Sequence, residues 1–152
     1  MRLQGVAAAF AAMGLLASVP ASAGTMGSAE KLRRLDIMLM VTGLRCRTTA
    51  DNFQADYGTF TTAHIAELNA ASDVMKADLA SRFGAAGANR ALDRLSTTMA
   101  NAYGGGHPWL SCGDLKMVAR NLAAAQGKEP LEAAADQLLA DTGSVQLALA
   151  MR

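Results

Sequence analysis

Aromatic side chains are scarce in this chain: one Trp, two Tyr and four Phe among 152 residues. β-Branched residues are sparse as well, and no stretch alternates apolar with polar in the way a half-buried strand requires. Sandwiches, barrels and parallel-sheet folds are excluded on that ground, and with them any phosphate or dinucleotide loop that must follow a strand. Beyond Val6–Val19 no run approaches 18 apolar residues, the length of a membrane-crossing helix. Charge of one sign is lacking too, since 14 basic residues face 13 acidic ones. A nucleic acid or an anionic membrane surface as principal partner calls for a clear basic excess, and none is present. There is no Cys-x-x-Cys, no Cys-x-x-Cys-His and no Gly-x-Ser-x-Gly. Two histidines are the whole supply of groups that titrate near neutrality, which leaves little material for general acid–base catalysis. No cofactor is expected, and the chain does not read as an enzyme.

What is present begins with an export signal. Arg2 is the only charge ahead of the apolar run Val6–Val19, and Ala21-Ser22-Ala23 has the small residues of a cleavage site. Residues 1–23 therefore read as a signal peptide, with a retained anchor as the alternative, and residues 24–152 as one domain. Removing Arg2 leaves 13 basic against 13 acidic residues. A periplasmic or secreted location follows. In such a compartment the two cysteines, Cys46 and Cys112, are most simply a disulfide. The alternative, a cysteine nucleophile with a histidine partner, needs a thiolate-favouring site that the sequence does not display.

Alanine, leucine and methionine dominate the remainder, a composition that favours helix. The organising stretch is residues 51–83. At steps of three and four it places Phe53, Tyr57, Phe60, His64, Leu68, Ala71, Met75, Leu79 and Phe83 on one stripe. A single long helix with that stripe in the core is predicted, with Gly58 as the place where it would kink and Thr59 or Thr61 as caps of a second piece. Before it, a first helix starts at a Ser28 N-cap and buries Leu32, Leu35, Leu39, Thr42 and Cys46 on one face. Ile37, Met38, Met40, Val41 and Leu44 widen that surface, and Arg33, Arg34, Asp36, Arg45 and Arg47 are its solvated remainder. The segment 48–51 ends this helix and caps the next. Gly84-Ala85-Ala86-Gly87 ends the long helix. A third helix over residues 88–103 carries Leu92, Leu95, Met99 and Ala102 inward. A fourth begins at Pro108, with Leu110, Leu115, Val118, Ala119 and Leu122, and stops at Gly127. A fifth opens at Pro130, with Leu131, Ala134, Ala135, Leu138 and Leu139. Asp141-Thr142-Gly143 interrupts it, and residues 144–152 form a short last helix or a frayed tail. The expected fold is all-α, a bundle of about five helices in which Cys46–Cys112 ties the end of the first to the start of the fourth.

Two places could carry function. His64 lies among apolar neighbours on the stripe, with Glu67 three residues on. A helical carboxylate-bridged metal site uses Glu-x-x-His twice with two further glutamates. Here the order is reversed and occurs once, so no metal site is expected. The most distinctive string is Tyr103-Gly104-Gly105-Gly106-His107-Pro108-Trp109. Its glycines free the backbone to approach a ligand, and Tyr103, His107 and Trp109 supply amphipathic contact groups. One reading is a recognition loop; the other is a connection pinned to the bundle by its rings.

The block 38–47 (Met-Leu-Met-Val-Thr-Gly-Leu-Arg-Cys-Arg), followed by Asn52-Phe53-Gln54-Ala55-Asp56-Tyr57, Ala66-Glu67-Leu68-Asn69 and Tyr103-Gly104 ahead of Cys112, resembles small exported proteins of unknown function from alphaproteobacteria. The likeness spans most of residues 28–122. Some members carry the label S-adenosyl-L-homocysteine hydrolase. That enzyme is a far longer NAD-dependent chain with a Rossmann domain, and none of its cofactor motif can be placed here. The resemblance implies export, helices and the cysteine pair, and contributes no catalytic residue. In size, compartment and cysteine count the chain is also similar to small periplasmic acid-stress chaperones, a likeness of type and not of motif.

The expectation from sequence is therefore a non-enzymatic exported helical protein with an interaction or envelope-stress role. The alternative is a module that binds an envelope protein or a small ligand through Tyr103, His107 and Trp109. An enzyme stands last.

Overall fold

The computed structural model describes the backbone of residues 21–139 and the side chains of residues 27–139. Nearly all of the expected signal peptide, the break at 141–143 and the final helix at 144–152 lie outside these residues. The described chain is all-α, with α1 (Ala21–Cys46), α2 (Gln54–Ala63), α3 (Ile65–Asn101), α4 (Cys112–Ala124) and α5 (Glu129–Leu138). Among the described residues there is no strand, and no helix is long and apolar enough to cross a membrane.

The stripe on residues 53–79 forms the centre of the core, as its periodicity requires. Phe53, Phe60, His64, Ala71, Met75 and Leu79 are buried, and Tyr57 and Leu68 are half-buried against the same cluster. It is not carried by one rod from residue 51. The helix begins at Gln54, whose N–H donates to the Asn52 side chain at 3.1 Å. It breaks at His64 (φ −115°, ψ 23°) and not at Gly58. Two separate faces must be covered, which accounts for the break: α2 packs mainly on α4, whereas α3 follows α1. A straight helix cannot serve both.

Gly84 interrupts α3 with φ 73° and ψ 164°, a conformation open to glycine at little cost. The turn is tight, since a Cβ on Gly87 would lie 3.0 Å from the Phe83 Cβ. Phe83, expected inward, is consequently 57% exposed. The stripe ends at Leu79.

In α1 the residues Leu32, Leu35, Ile37, Met38, Leu39, Thr42 and Cys46 are buried. Thr42 is satisfied within the helix, its hydroxyl donating to the Met38 carbonyl at 2.7 Å. Gly43 lets Phe53 approach, because a Cβ there would stand 3.3 Å from that ring. Four expectations are corrected. Ser28 is not an N-cap, because α1 runs through it from Ala21; its hydroxyl instead donates to Glu132 of α5. Met40 and Leu44 face solvent and do not widen the core surface. Asp36, Arg33 and Arg34 are half-buried and not a solvated fringe, because each has a partner. The Tyr57 hydroxyl donates to Asp36 at 2.8 Å, Arg33 donates to Ser96 and Arg34 lies 2.9 Å from Glu30. Finally, Ala102 lies just past the end of α3 and is exposed, while Leu92 and Met99 in its second half are buried.

The start of α4 also moves. It begins at Cys112, not Pro108, because Ser111 and Asp114 form a reciprocal cap. Asp114 N–H donates to the Ser111 hydroxyl, and Ser111 N–H donates to the Asp114 carboxylate at 2.9 Å. The disulfide Cys46–Cys112, with Cα atoms 5.7 Å apart, joins the last residue of α1 to the first of α4.

Candidate functional site

The loop 103–109 leaves the C-terminal end of α3 and is anchored before it exposes anything. Tyr103 is buried. Its carbonyl accepts from Gly106 N–H at 2.9 Å, closing a turn in which Gly106 adopts φ 104°. That angle is strained for any residue with a Cβ. Arg45, near the end of α1, donates to the Gly104 carbonyl at 2.6 Å and fixes the loop from the other side. The disulfide holds the start of α4 next to it.

His107 stands at the middle of three rings. It stacks on Tyr103 with centroids 6.0 Å apart and meets Trp109 edge-on at 4.5 Å. Its Nδ1 accepts from the Leu110 N–H at 3.2 Å, with the Trp109 N–H at 3.4 Å. A nitrogen facing two N–H groups must carry a lone pair, so the proton is on Nε2, which donates to the Leu138 carbonyl at 3.3 Å. Burial holds this imidazole below its usual value of 6.5, opposed in part by the Leu138 bond. Both nitrogens are thereby committed to the main chain. The ring braces the loop against the end of α5.

Trp109 is the member of the trio left for contact, with 45% of its surface exposed. Tyr103, His107 and Trp109 are thus brought together as the sequence string suggests, but with divided roles: Tyr103 and His107 anchor, and Trp109 presents. A cleft of about 350 Å³ lies beside the disulfide, lined by Arg45, Thr49, Gly106, His107, Ser111 and Leu115 among others. Trp109 is not on its wall. The ring is therefore displayed on the surface outside this cleft.

The second histidine does parallel work elsewhere. His64 is 1% exposed, and its Nε2 lies 2.7 Å from the Leu122 carbonyl in the last turn of α4. Its Nδ1 is buried without a hydrogen bond, and the nearest carboxylate, Glu67, is 3.9 Å away. Carbonyls near the C-terminal end of a helix have spare acceptor capacity, and each imidazole donates to one; Leu122 also accepts from the Ala125 N–H at 3.2 Å. Among the described residues no three His, Cys, Asp or Glu side chains gather in a metal-binding arrangement.

The pair Asp36–Tyr57 was not visible as a site. Burial raises the Asp36 carboxyl, against the opposing effects of the Tyr57 hydroxyl and Arg33. Burial and the Asp36 carboxylate push the Tyr57 phenol upward in turn. One signal for it exists in the sequence: a tyrosine on an apolar stripe needs a partner for its hydroxyl.

No family model matches this chain, and no curated protein or solved structure matches it.

Proposed function

We propose that this chain is a non-enzymatic helical protein of the cell envelope that engages a partner protein or small envelope ligand through Trp109. The carrying observation is the contrast within the loop: an indole 45% exposed, on a segment where Tyr103 is buried and the Gly104 carbonyl, the Gly106 N–H and the His107 ring are tied down. A large apolar side chain held in one orientation loses little entropy on binding, which is why tryptophan is enriched at the energetic centres of interfaces. The balanced charge fits a partner that is neither nucleic acid nor a strongly anionic surface. The Cys46–Cys112 bond fits an oxidising compartment, and residues 1–23 have the pattern of an export signal. An envelope-stress role is compatible with this display and is its natural setting. The non-enzymatic reading is supported by His107, both of whose nitrogens are hydrogen-bonded to the backbone.

The test is co-purification of the exported form, followed by mass-spectrometric identification of what is retained, beside a Trp109→Ala variant. A companion retained by the parent protein and lost from a folded Trp109→Ala variant supports the reading. Equal retention by both contradicts it.

A further inference from the structure

A second cleft, of about 460 Å³, opens where Gly84 interrupts α3, between residues 78–83, residues 91–98 and Glu30 of α1. Its volume is ordinary for a small-molecule site. Leu79, Ala91 and Leu95 supply apolar wall, and the exposed ring of Phe83 lies on its edge. The charges on its wall are two carboxylates, Glu30 and Asp78, and two guanidiniums, Arg82 and Arg94. Glu30 is paired with Arg34, whose Nη2 is 2.9 Å away, and Asp78 with Arg82, also at 2.9 Å, a charge contact not aligned as a hydrogen bond. Arg94 is left over: among the described residues its guanidinium has no acceptor, although its carbonyl accepts from Thr98.

An apolar wall, an exposed aromatic ring and one guanidinium without an ion-pair partner, because Glu30 and Asp78 are held by Arg34 and Arg82, define a complementary ligand. We propose that this cleft binds a small apolar monocarboxylate, an acyl or aryl chain whose carboxylate pairs with Arg94 while its hydrocarbon covers Leu79, Leu95 and Phe83. Arginine suits this role because its planar fork meets a carboxylate with two N–H groups. The site is separate from loop 103–109 and does not depend on the role given to Trp109.

The probes are decanoate, below its aggregation concentration, and decyltrimethylammonium, which has the same chain with the opposite charge. Binding to the unaltered protein is measured by calorimetry. It is measured again by fluorescence in a Trp109→Phe, Phe83→Trp protein, whose single indole reports on the cleft. Saturable decanoate binding, at least about tenfold tighter than the cation and weakened about tenfold by Arg94→Ala, is the expected result. 3-Phenylpropionate bound with the same Arg94 dependence identifies an aryl ligand, and decanoate alone an acyl one. Equal affinity for anion and cation in the unaltered protein, or no saturable binding of either carboxylate, overturns the proposal. So does unchanged decanoate affinity in Arg94→Ala or in the milder Arg94→Gln.

Discussion

The His64 imidazole reaches from the break between α2 and α3 to the Leu122 carbonyl in the last turn of α4, 2.7 Å away. One side chain thereby joins the point where the central stripe changes direction to the helix that α2 packs against. The carbonyl also accepts from the Ala125 N–H at 3.2 Å, so the imidazole is its second donor, and that donor is itself almost fully enclosed. His64→Leu keeps the apolar contact with Phe60 and removes the donor. A loss of about 0.5–1.5 kcal/mol in urea unfolding is expected, the net worth of one hydrogen bond to a carbonyl that keeps its backbone donor. Stability within 0.5 kcal/mol, roughly the spread of ordinary surface substitutions, would show that Leu122 needs no such partner.

His107 makes stability depend on pH, with a definite sign. Its folded-state value is depressed, so below 6.5 the unfolded chain takes up a proton before the folded one does. Its contribution is complete above that value and is lost as pH falls through 6.5 toward the lower folded value. Protonation would also place an N–H at Nδ1 against the Leu110 N–H. Unfolding free energy should fall more steeply between about pH 7 and 5 in the parent protein than in His107→Gln. Identical slopes would refute this.

Phe60 is fully enclosed, between Tyr57 and His64 along the stripe. Phe60→Ala should cost about 3–5 kcal/mol, the range for a large ring removed from a core that cannot collapse around the gap. A loss below about 1 kcal/mol would mean the core closes over it.

Cys46 and Cys112 are 66 positions apart, and closing a loop of that length restricts the unfolded chain. The entropy model assigns the bond about 4 kcal/mol. Reduction, or the double replacement Cys46→Ser with Cys112→Ser, should lower stability by about that amount and leave the Arg45 bond to the Gly104 carbonyl as the tie between the end of α1 and loop 103–109. Comparison of oxidised and reduced protein by chemical denaturation gives the value directly.

Legibility from sequence followed the physics of each element. The stripe 53–79 could be read because burial imposes a spacing of three and four on apolar side chains, and the disulfide because the chain has two cysteines and an export-like leader. The break at His64 could not be read, since it depends on α2 and α3 having different partners, a tertiary demand with no local mark; Gly58 drew attention only because glycine is a poor helix former. Phe83 was misplaced for a related reason: periodicity continues through the last turn even where Gly84 turns the chain away. Asp36 reads as a surface charge until Tyr57 is laid across it. At the loop, the three rings were legible as a group. Which would anchor and which would be presented depended on the Leu138 carbonyl, 31 positions from His107.

The presentation of Trp109 is tested most directly by crosslinking in the envelope. A benzophenone side chain is introduced in place of Trp109 in one protein and in place of Thr97, also exposed, on α3 in another. Discrete crosslinked products at position 109 that are missing at position 97 are predicted. The same products at both positions, or none at 109, would contradict the account.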